Sequence, residues 1–178
     1  MAVNGAAAVF LDKDGTLVDD VPYNVDPARV RLGPGAEAAV RGFAERGLRV
    51  IVVSNQSGVA LGRFRETDLL AVNACLQRRL EGAVEAFYYC THHPRAGCAC
   101  RKPAPGLLLR AADERGVDLS RSWMVGDILD DVEAGRRAGC RTCLIDNGNE
   151  TEWRQDESRR PDAVARDLAE AAALILDA

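Results

Sequence analysis

No apolar stretch of the 178-residue chain approaches the roughly 20 residues needed to span a bilayer. The N-terminus has neither the basic start nor the apolar segment of a secretory signal, which points to the cytosol. There is no long basic run, and the formal net charge is −4, so the broad electrostatic footprint of a nucleic-acid binder is missing. That balance still admits a small phosphorylated substrate. No internal repeat and no low-complexity tract is present. With 47% hydrophobic residues the length suits a single domain, 1–178, with a substantial core, and a monomer is expected.

Histidine is scarce too, at two residues, while there are six cysteines. In a core-rich cytosolic chain, clustered cysteines bind metal or do redox work more readily than they form a disulfide framework. Cys75, Cys140 and Cys143 lie among apolar neighbours and read as small core residues.

Apolar runs alternate with segments of helical period. Strands are expected near Ala6–Leu11, Val50–Val53, Val84–Tyr89, Trp123–Val125 and Thr142–Ile145, with helices at Ala36–Arg46, Glu66–Leu80, Gly106–Arg115 and Asp131–Ala138. A last strand at Asp162–Ala165 and a helix to about Leu176 complete the rhythm. Val- and Ile-rich strands with little polar alternation suit a parallel sheet covered on both faces: an α/β, Rossmann-like three-layer sandwich with expected strand order 3-2-1-4-5. In such sheets ligands bind outside the carboxyl ends of the strands, where the order reverses.

Polar residues do collect at those ends. Asp12 and Asp14 follow the first strand, Ser54, Asn55 and Gln56 the second, Cys90, His92 and His93 the third, and Gly126 and Asp127 the fourth. At i and i+2 on an extended segment, Asp12 and Asp14 face one ligand while Lys13 is expected to point away. Converging carboxylates need a hard cation such as Mg²⁺, which binds alongside phosphate. One aspartate can then attack phosphorus while the other protonates the leaving oxygen and later activates water. Ser54 and Lys102 are available for the phosphoryl oxygens, Asp127 for the metal, and Asp131 for orienting the ligands behind it.

"DKDGTL", "VVSNQSG", "CRKPAPG" and "MVGDILDD" together resemble the four successive motifs of the haloacid dehalogenase (HAD) superfamily of phosphatases. The resemblance implies Asp12 as nucleophile, Asp14 as general acid/base, and Ser54 and Lys102 as phosphoryl stabilisers. It also implies Mg²⁺ held by Asp12, the backbone carbonyl of Asp14, and Asp127. The spans Gly15–Val53 and Ser57–Tyr89 leave no room for the cap domain that many members insert there.

The insert "YYCTHHPRAGCACRKP" offers Cys90, His92, Cys98 and Cys100 as two ligand pairs, enough for a closed structural Zn²⁺ site that staples the 90–100 loop after the third strand. A disulfide and an unliganded thiol cluster are the competing readings, and His93 is left outside the ligand set. The insert, with "DDVPY" and "SNQSGVALG", resembles the D-glycero-D-manno-heptose-1,7-bisphosphate 7-phosphatases and the related histidinol-phosphate phosphatases. That implies substrate contacts at Asp20, Val21, Pro22 and Tyr23, at Ser54, Asn55, Gln56 and Ser57, and at Arg101 and Lys102, with Arg101 on a second phosphate. Two features depart from those enzymes and bear on which sugar is recognised: only five residues separate His92 from Cys98, and residue 128 is Ile where a basic residue is common. The expected activity is removal of the 7-phosphate of a heptose bisphosphate on the route to nucleotide-activated heptose. The alternatives are histidinol-phosphate hydrolysis, a polynucleotide 3′-phosphatase that the acidic balance disfavours, and a silent zinc-binding scaffold. A scaffold has no physical need for Asp12, Asp14, Ser54, Lys102 and Asp127 together.

Overall fold

Successive residues of a strand face opposite sides of a sheet, and here both sides are apolar. In the computed structural model, which describes residues 5–154 and 156–178, Val9, Leu11, Val50 and Val52 join one core while Ala8, Phe10, Ile51 and Val53 join the other. These residues belong to β1 (Ala8–Leu11) and β2 (Arg49–Asn55), which pair in parallel with β3 (Val84–Cys90), β4 (Trp123–Gly126), β5 (Arg141–Ile145) and β6 (Ala163–Ala165). The strand order is 3-2-1-4-5-6. The expected order therefore stands but is one strand short: Cys143 lies opposite Ala163, and the Asp162 carboxylate accepts the Thr142 N–H at 2.8 Å, fastening the added edge.

The first core is covered by α1 (Ala36–Glu45), α2 (Asp68–Arg79) and α5 (Leu168–Leu176), through residues such as Val40, Phe43, Val72, Leu76 and Ile175. The second is covered by α3 (Gly106–Arg115) and α4 (Leu129–Ala138), through Leu107, Leu108, Ala134 and Ala138. Crossover helices on both faces leave the carboxyl ends of β1 and β4 side by side at the reversal of strand order. Among the described residues, β1 is joined to β2 through loops, a short 3-10 turn at Pro27–Arg29 and α1, and β2 to β3 through turns and α2.

Several boundaries differ from the periodicity, most of them by one residue. Ala6 makes only an isolated bridge to Val117, so β1 begins at Ala8. α2 begins at Asp68, whose carboxylate caps the preceding turn by accepting the Arg65 N–H at 2.8 Å. α4 begins at Leu129, because Asp131 folds back to accept the Ile128 N–H at 3.3 Å and so stands inside the first turn. Cys75, Cys140 and Cys143 are buried, as their neighbours require, and burial pushes the Cys140 and Cys143 thiols up to about 12.

Candidate active site

β1 delivers Asp12 to the reversal point, where its N–H donates to the Val125 carbonyl of β4 at 2.9 Å. β4 in turn delivers Asp127, and the first turn of α4 delivers Asp131; one oxygen from each of the three carboxylates lies within 4.8 Å of the others. All three side chains are buried. Burial drives the Asp12 carboxyl up to about 7, with Asp131 and Asp14 adding to the rise and Lys102 opposing it. Asp127 is pushed to about 6, by burial first and by the charge of Asp12 second, against hydrogen bonds from Asn149 and Thr16. Burial also raises Asp131.

The cation among them is the Lys102 ammonium, 2.5 Å from Asp12 Oδ1, 2.6 Å from Asp131 Oδ1 and 3.1 Å from the Val53 carbonyl. Burial works against its charge, yet the two carboxylates outweigh that and hold its pKa above the ordinary lysine range. One ammonium cannot balance three carboxylates. Asp131 Oδ1, moreover, meets Lys102 at ion-pair distance but outside hydrogen-bond alignment, leaving a buried oxygen without a donor. This oxygen-only set, short of positive charge and fully desolvated, fits a hard divalent cation such as Mg²⁺. Sequence reasoning set Asp131 behind the ligands; the structure instead brings its carboxylate into the cluster.

Above the cluster lies a cleft of about 240 Å³ lined by Asp12, Asp14, Ser54, Arg101, Lys102 and Asp127, with Asp20, Asn55, Ile128, Asp130 and Asn149 at its walls. Asp14 therefore shares the cleft with Asp12, although its carboxylate stands apart from the three-carboxylate cluster. Arg101 holds a buried Nη1 that has no hydrogen-bond partner among the described residues. Of the 20–23 segment only Asp20 reaches the cleft. Tyr23 is half exposed and stacks under the Arg63 guanidinium, 5.5 Å from its ring centre, and neither Val21 nor Pro22 lines the cavity.

The "SNQS" segment after β2 divides its work differently from the expected row of substrate contacts. Ser54 is buried at the cleft floor. The Asn55 side chain bonds the Lys102 backbone twice, donating to its carbonyl at 3.2 Å and accepting its N–H at 3.0 Å. Gln56 donates its backbone N–H to the Cys90 carbonyl at 2.7 Å and its amide N–H groups to Asp14 Oδ2 and Ser54 Oγ. Neither Gln56 nor Ser57 lines the cleft. Lys13 does not line the cleft and is only 2% exposed; a buried ammonium needs a partner, and it finds Asp14 Oδ1 at 2.9 Å.

Four residues of the site escaped the sequence reading. Thr16 Oγ1 donates to Asp127 Oδ1 at 3.2 Å, and Asn149 donates to Asp127 Oδ2 at 2.7 Å. Asn147 donates to the Gly15 carbonyl at 2.7 Å, and Glu150 accepts the Leu129 N–H at 2.6 Å. The signal was there: "DNGNE" follows β5 as the other polar groups follow their strands. Gly15 makes the close approach possible, since at φ 88° a Cβ there would sit 2.1 Å from Asp127 Oδ2 and 2.6 Å from the Asn149 amide.

At the end of β3 the 90–100 loop gathers Cys90, His92, Cys98 and Cys100, with donor atoms within 4.8 Å of one another. Cys90 Sγ is 3.6 Å from both His92 Nδ1 and Cys98 Sγ; Cys100 Sγ is 3.6 Å from Cys98 Sγ and 3.2 Å from His92 Nδ1. Zn–S bonds of about 2.3 Å in a tetrahedron demand S···S edges of about 3.8 Å, while a disulfide requires about 2.05 Å. All six cysteines are free thiols, so the disulfide reading falls and the donor set fits Zn²⁺. Burial raises the Cys98 thiol, but the backbone N–H groups of Arg101 and Cys100 and the neighbouring thiols together outweigh it and hold Cys98 at about 7, which favours a ligating thiolate. His93 stands outside the set and accepts the Arg95 N–H at 3.1 Å.

A family model described as HAD-hyrolase-like matches residues 99–171. The chain is 36% identical over 148 residues to the D-glycero-beta-D-manno-heptose-1,7-bisphosphate 7-phosphatase of Escherichia coli K12, covering 78% of each protein. The enzyme of the same name from Yersinia pestis is 35% identical, over 78% of this chain and 79% of its own. Among solved structures, a D,D-heptose 1,7-bisphosphate phosphatase from B. bronchiseptica, in complex with magnesium and phosphate, superposes with a TM-score of 0.81 at 32% identity, covering 96% of this chain and 98% of that one. A HAD-like phosphatase from Mesorhizobium loti does so with a TM-score of 0.80 at 34% identity, covering 96% and 86%. With a parallel sheet that gathers three carboxylates, two of them on one lysine, and with these relatives, the chain belongs to the HAD-like phosphatase family that includes the D-glycero-beta-D-manno-heptose-1,7-bisphosphate 7-phosphatases.

Proposed function

We propose that the protein removes the 7-phosphate of D-glycero-D-manno-heptose 1,7-bisphosphate in a Mg²⁺-dependent, two-step displacement. The observation that carries the reading is the single cleft shared by Asp12, Asp14, Ser54, Arg101, Lys102 and Asp127. In the first step an Asp12 carboxylate oxygen bonds to phosphorus, the bond to the sugar oxygen breaks, and Asp14 hands its proton to that oxygen. In the second, water gives a proton back to Asp14 as its oxygen bonds to phosphorus, and the bond from phosphorus to Asp12 breaks. Ser54 and Lys102 hold the equatorial oxygens throughout. Mg²⁺, held by Asp12, Asp127 and the Asp14 carbonyl with Asp131 beside them, supplies charge neutralisation for the approaching phosphoryl group.

Arg101 takes the second phosphate: it lines a cleft otherwise rich in carboxylates, and a guanidinium fork matches phosphate geometry. Cys90, His92, Cys98 and Cys100 would hold Zn²⁺, which would stiffen the loop that presents Arg101. The open cleft and the names of the relatives support a small sugar phosphate as substrate. Phosphate release with Mg²⁺ from both anomers of heptose 1,7-bisphosphate and from histidinol phosphate tests this. A higher kcat/KM for a heptose anomer is expected; preference for histidinol phosphate would overturn the assignment. Asp12→Asn should abolish turnover with the fold intact, and residual turnover near the parent rate would remove Asp12 as nucleophile.

A further inference from the structure

Gln56 is 6% exposed and takes no part in lining the cleft, yet all its N–H groups are engaged. Its backbone N–H goes to the Cys90 carbonyl, and its amide bridges Asp14 Oδ2 at 2.7 Å and Ser54 Oγ at 2.9 Å. An amide nitrogen has two N–H donors, so none is left for a substrate. The residue joins two side chains with different jobs in the reaction.

We propose that Gln56 is a positioning residue for Asp14, fixing the carboxylate so that its proton reaches the leaving oxygen. This rests on the reading of Asp14 as the general acid/base. The Asp14 side chain is 29% exposed, against 11% for Asp12 and 0% for Asp131, so the surroundings alone do not fix it. Two donors do: Lys13 on Oδ1 and Gln56 on Oδ2. A carboxyl group has about four lone-pair sites, and these two contacts leave the others free for the cleft. Without the Gln56 contact, the carboxylate can pivot about Lys13. Proton transfer needs hydrogen-bond reach, and a displacement of about 1 Å from productive geometry lowers rates by about 100-fold.

A misplaced acid harms only reactions that need its proton. In the first step, an alkyl alcohol leaves with the proton of Asp14 as the bond from phosphorus to oxygen breaks. p-Nitrophenolate departs as a stable anion and needs none. Since kcat/KM reports the steps up to departure of the leaving group, it is blind to the later attack of water. The comparison to make is therefore kcat/KM for glycerol phosphate and for p-nitrophenyl phosphate, in the parent, Gln56→Met and Asp14→Asn, all with Mg²⁺ and with folding checked by melting.

Gln56→Met should lose at least 10-fold more on the alkyl ester than on the aryl ester, Asp14→Asn should show the same bias more strongly, and Gln56→Met added to Asp14→Asn should add no further bias. Equal losses on the two esters, or none, would overturn the proposal and leave Gln56 a support for Ser54 or a spectator. If Asp14→Asn discriminates and Gln56→Met does not, only the role of Gln56 falls. If Asp14→Asn itself fails to discriminate, the reading of Asp14 falls and takes the proposal with it. Should Gln56→Met not fold, Gln56→Asn keeps the amide on a shorter stem, withdraws it from Asp14, and must show the same bias.

Discussion

Removing the charge of Asp127 should make the Mg²⁺-free protein more stable at neutral pH. In the fold this carboxyl is carried from its ordinary 3.8 to about 6, mainly by burial and then by the charge of Asp12. At 1.36 kcal/mol per decade, ionising it in the native state costs about 3 kcal/mol more than in the unfolded chain. The sign follows from proton counting. Well below pH 4 both states hold the proton and there is no penalty; as pH rises from about 4 to 6 the unfolded chain gives up a proton that the native state still holds, so stability falls across that window and levels off above it. Asp12, driven to about 7 by the same burial, extends the decline toward neutrality. The exposed carboxylates held low by partners, Asp68, Glu114, Asp156 and Glu170, titrate below this window and do not mask it. In Asp127→Asn the neutral amide can accept from Asn149 and donate to Thr16, so both contacts survive. Urea unfolding of parent and variant at pH 5 and pH 7.5, dialysed free of Mg²⁺ with zinc retained, is the assay. The parent should lose stability between the two pH values. The variant should exceed it at pH 7.5 by about 3 kcal/mol, or roughly 6–12 °C in Tm, and Mg²⁺ should stabilise only the parent. A parent equally stable at both pH values, or a variant weaker than the parent at pH 7.5, would refute the claim that the buried carboxylates strain the metal-free fold.

Elemental analysis of protein purified without chelators should find about one zinc per chain; a zinc-free, fully stable protein would count against the Cys90, His92, Cys98 and Cys100 site. Arg101→Ala should lower kcat/KM for the bisphosphate by roughly 10- to 150-fold, the worth of a charge-assisted hydrogen bond, while a simple monoester changes little; equal losses would remove Arg101 from the second phosphate. Cys140 and Cys143, held near 12 by burial, should resist iodoacetamide at pH 8 in the native protein, while Cys98, near 7, should be alkylated once zinc is stripped. Mass spectrometry of labelled peptides reads both.

The sheet was legible because both of its faces are covered: continuous runs such as those ending in Leu11 and Val53 leave a strand little alternative, and helical periods between them fix a parallel connection. β6 was visible as a strand but not as a neighbour of β5, since its place depends on Asp162 reaching the Thr142 backbone. The carboxylates Asp12, Asp14 and Asp127 were legible by position at strand ends. What periodicity could not supply was direction. Lys13 was placed away from the ligand on the alternation of an extended chain, but that pattern does not say where it goes instead: beside the turn at Gly15, buried on Asp14. Asp131 was set behind the ligands, and the pattern does not show that one turn of α4 brings it onto Lys102; Asn55 and Gln56 were given to the substrate, and a polar triplet does not say that their amides also reach Lys102, Asp14 and Ser54.

Those two amides show how an uncapped site is held ready. A phosphatase with a closing domain brings charge to the phosphate at closure, whereas this cleft has loops alone, so Lys102 must already stand where the phosphoryl oxygens arrive. Its position is fixed from both sides. Asn55 grips its backbone from β2, while Cys100, two residues earlier, ties it to the proposed zinc. The same strap continues into α3, where the Gly106 N–H donates to the Ala99 carbonyl at 3.0 Å, an approach so close that a Cβ on Gly106 would lie 2.2 Å from that oxygen. Gln56 adds the last tie, from Cys90 through its backbone to Asp14 through its side chain. The proposed zinc site therefore lies outside the chemistry yet within two residues of Lys102 and one hydrogen-bonded residue of Asp14. Its loss should lower kcat under conditions where the sheet is still fully folded, because the strap loosens before the core does.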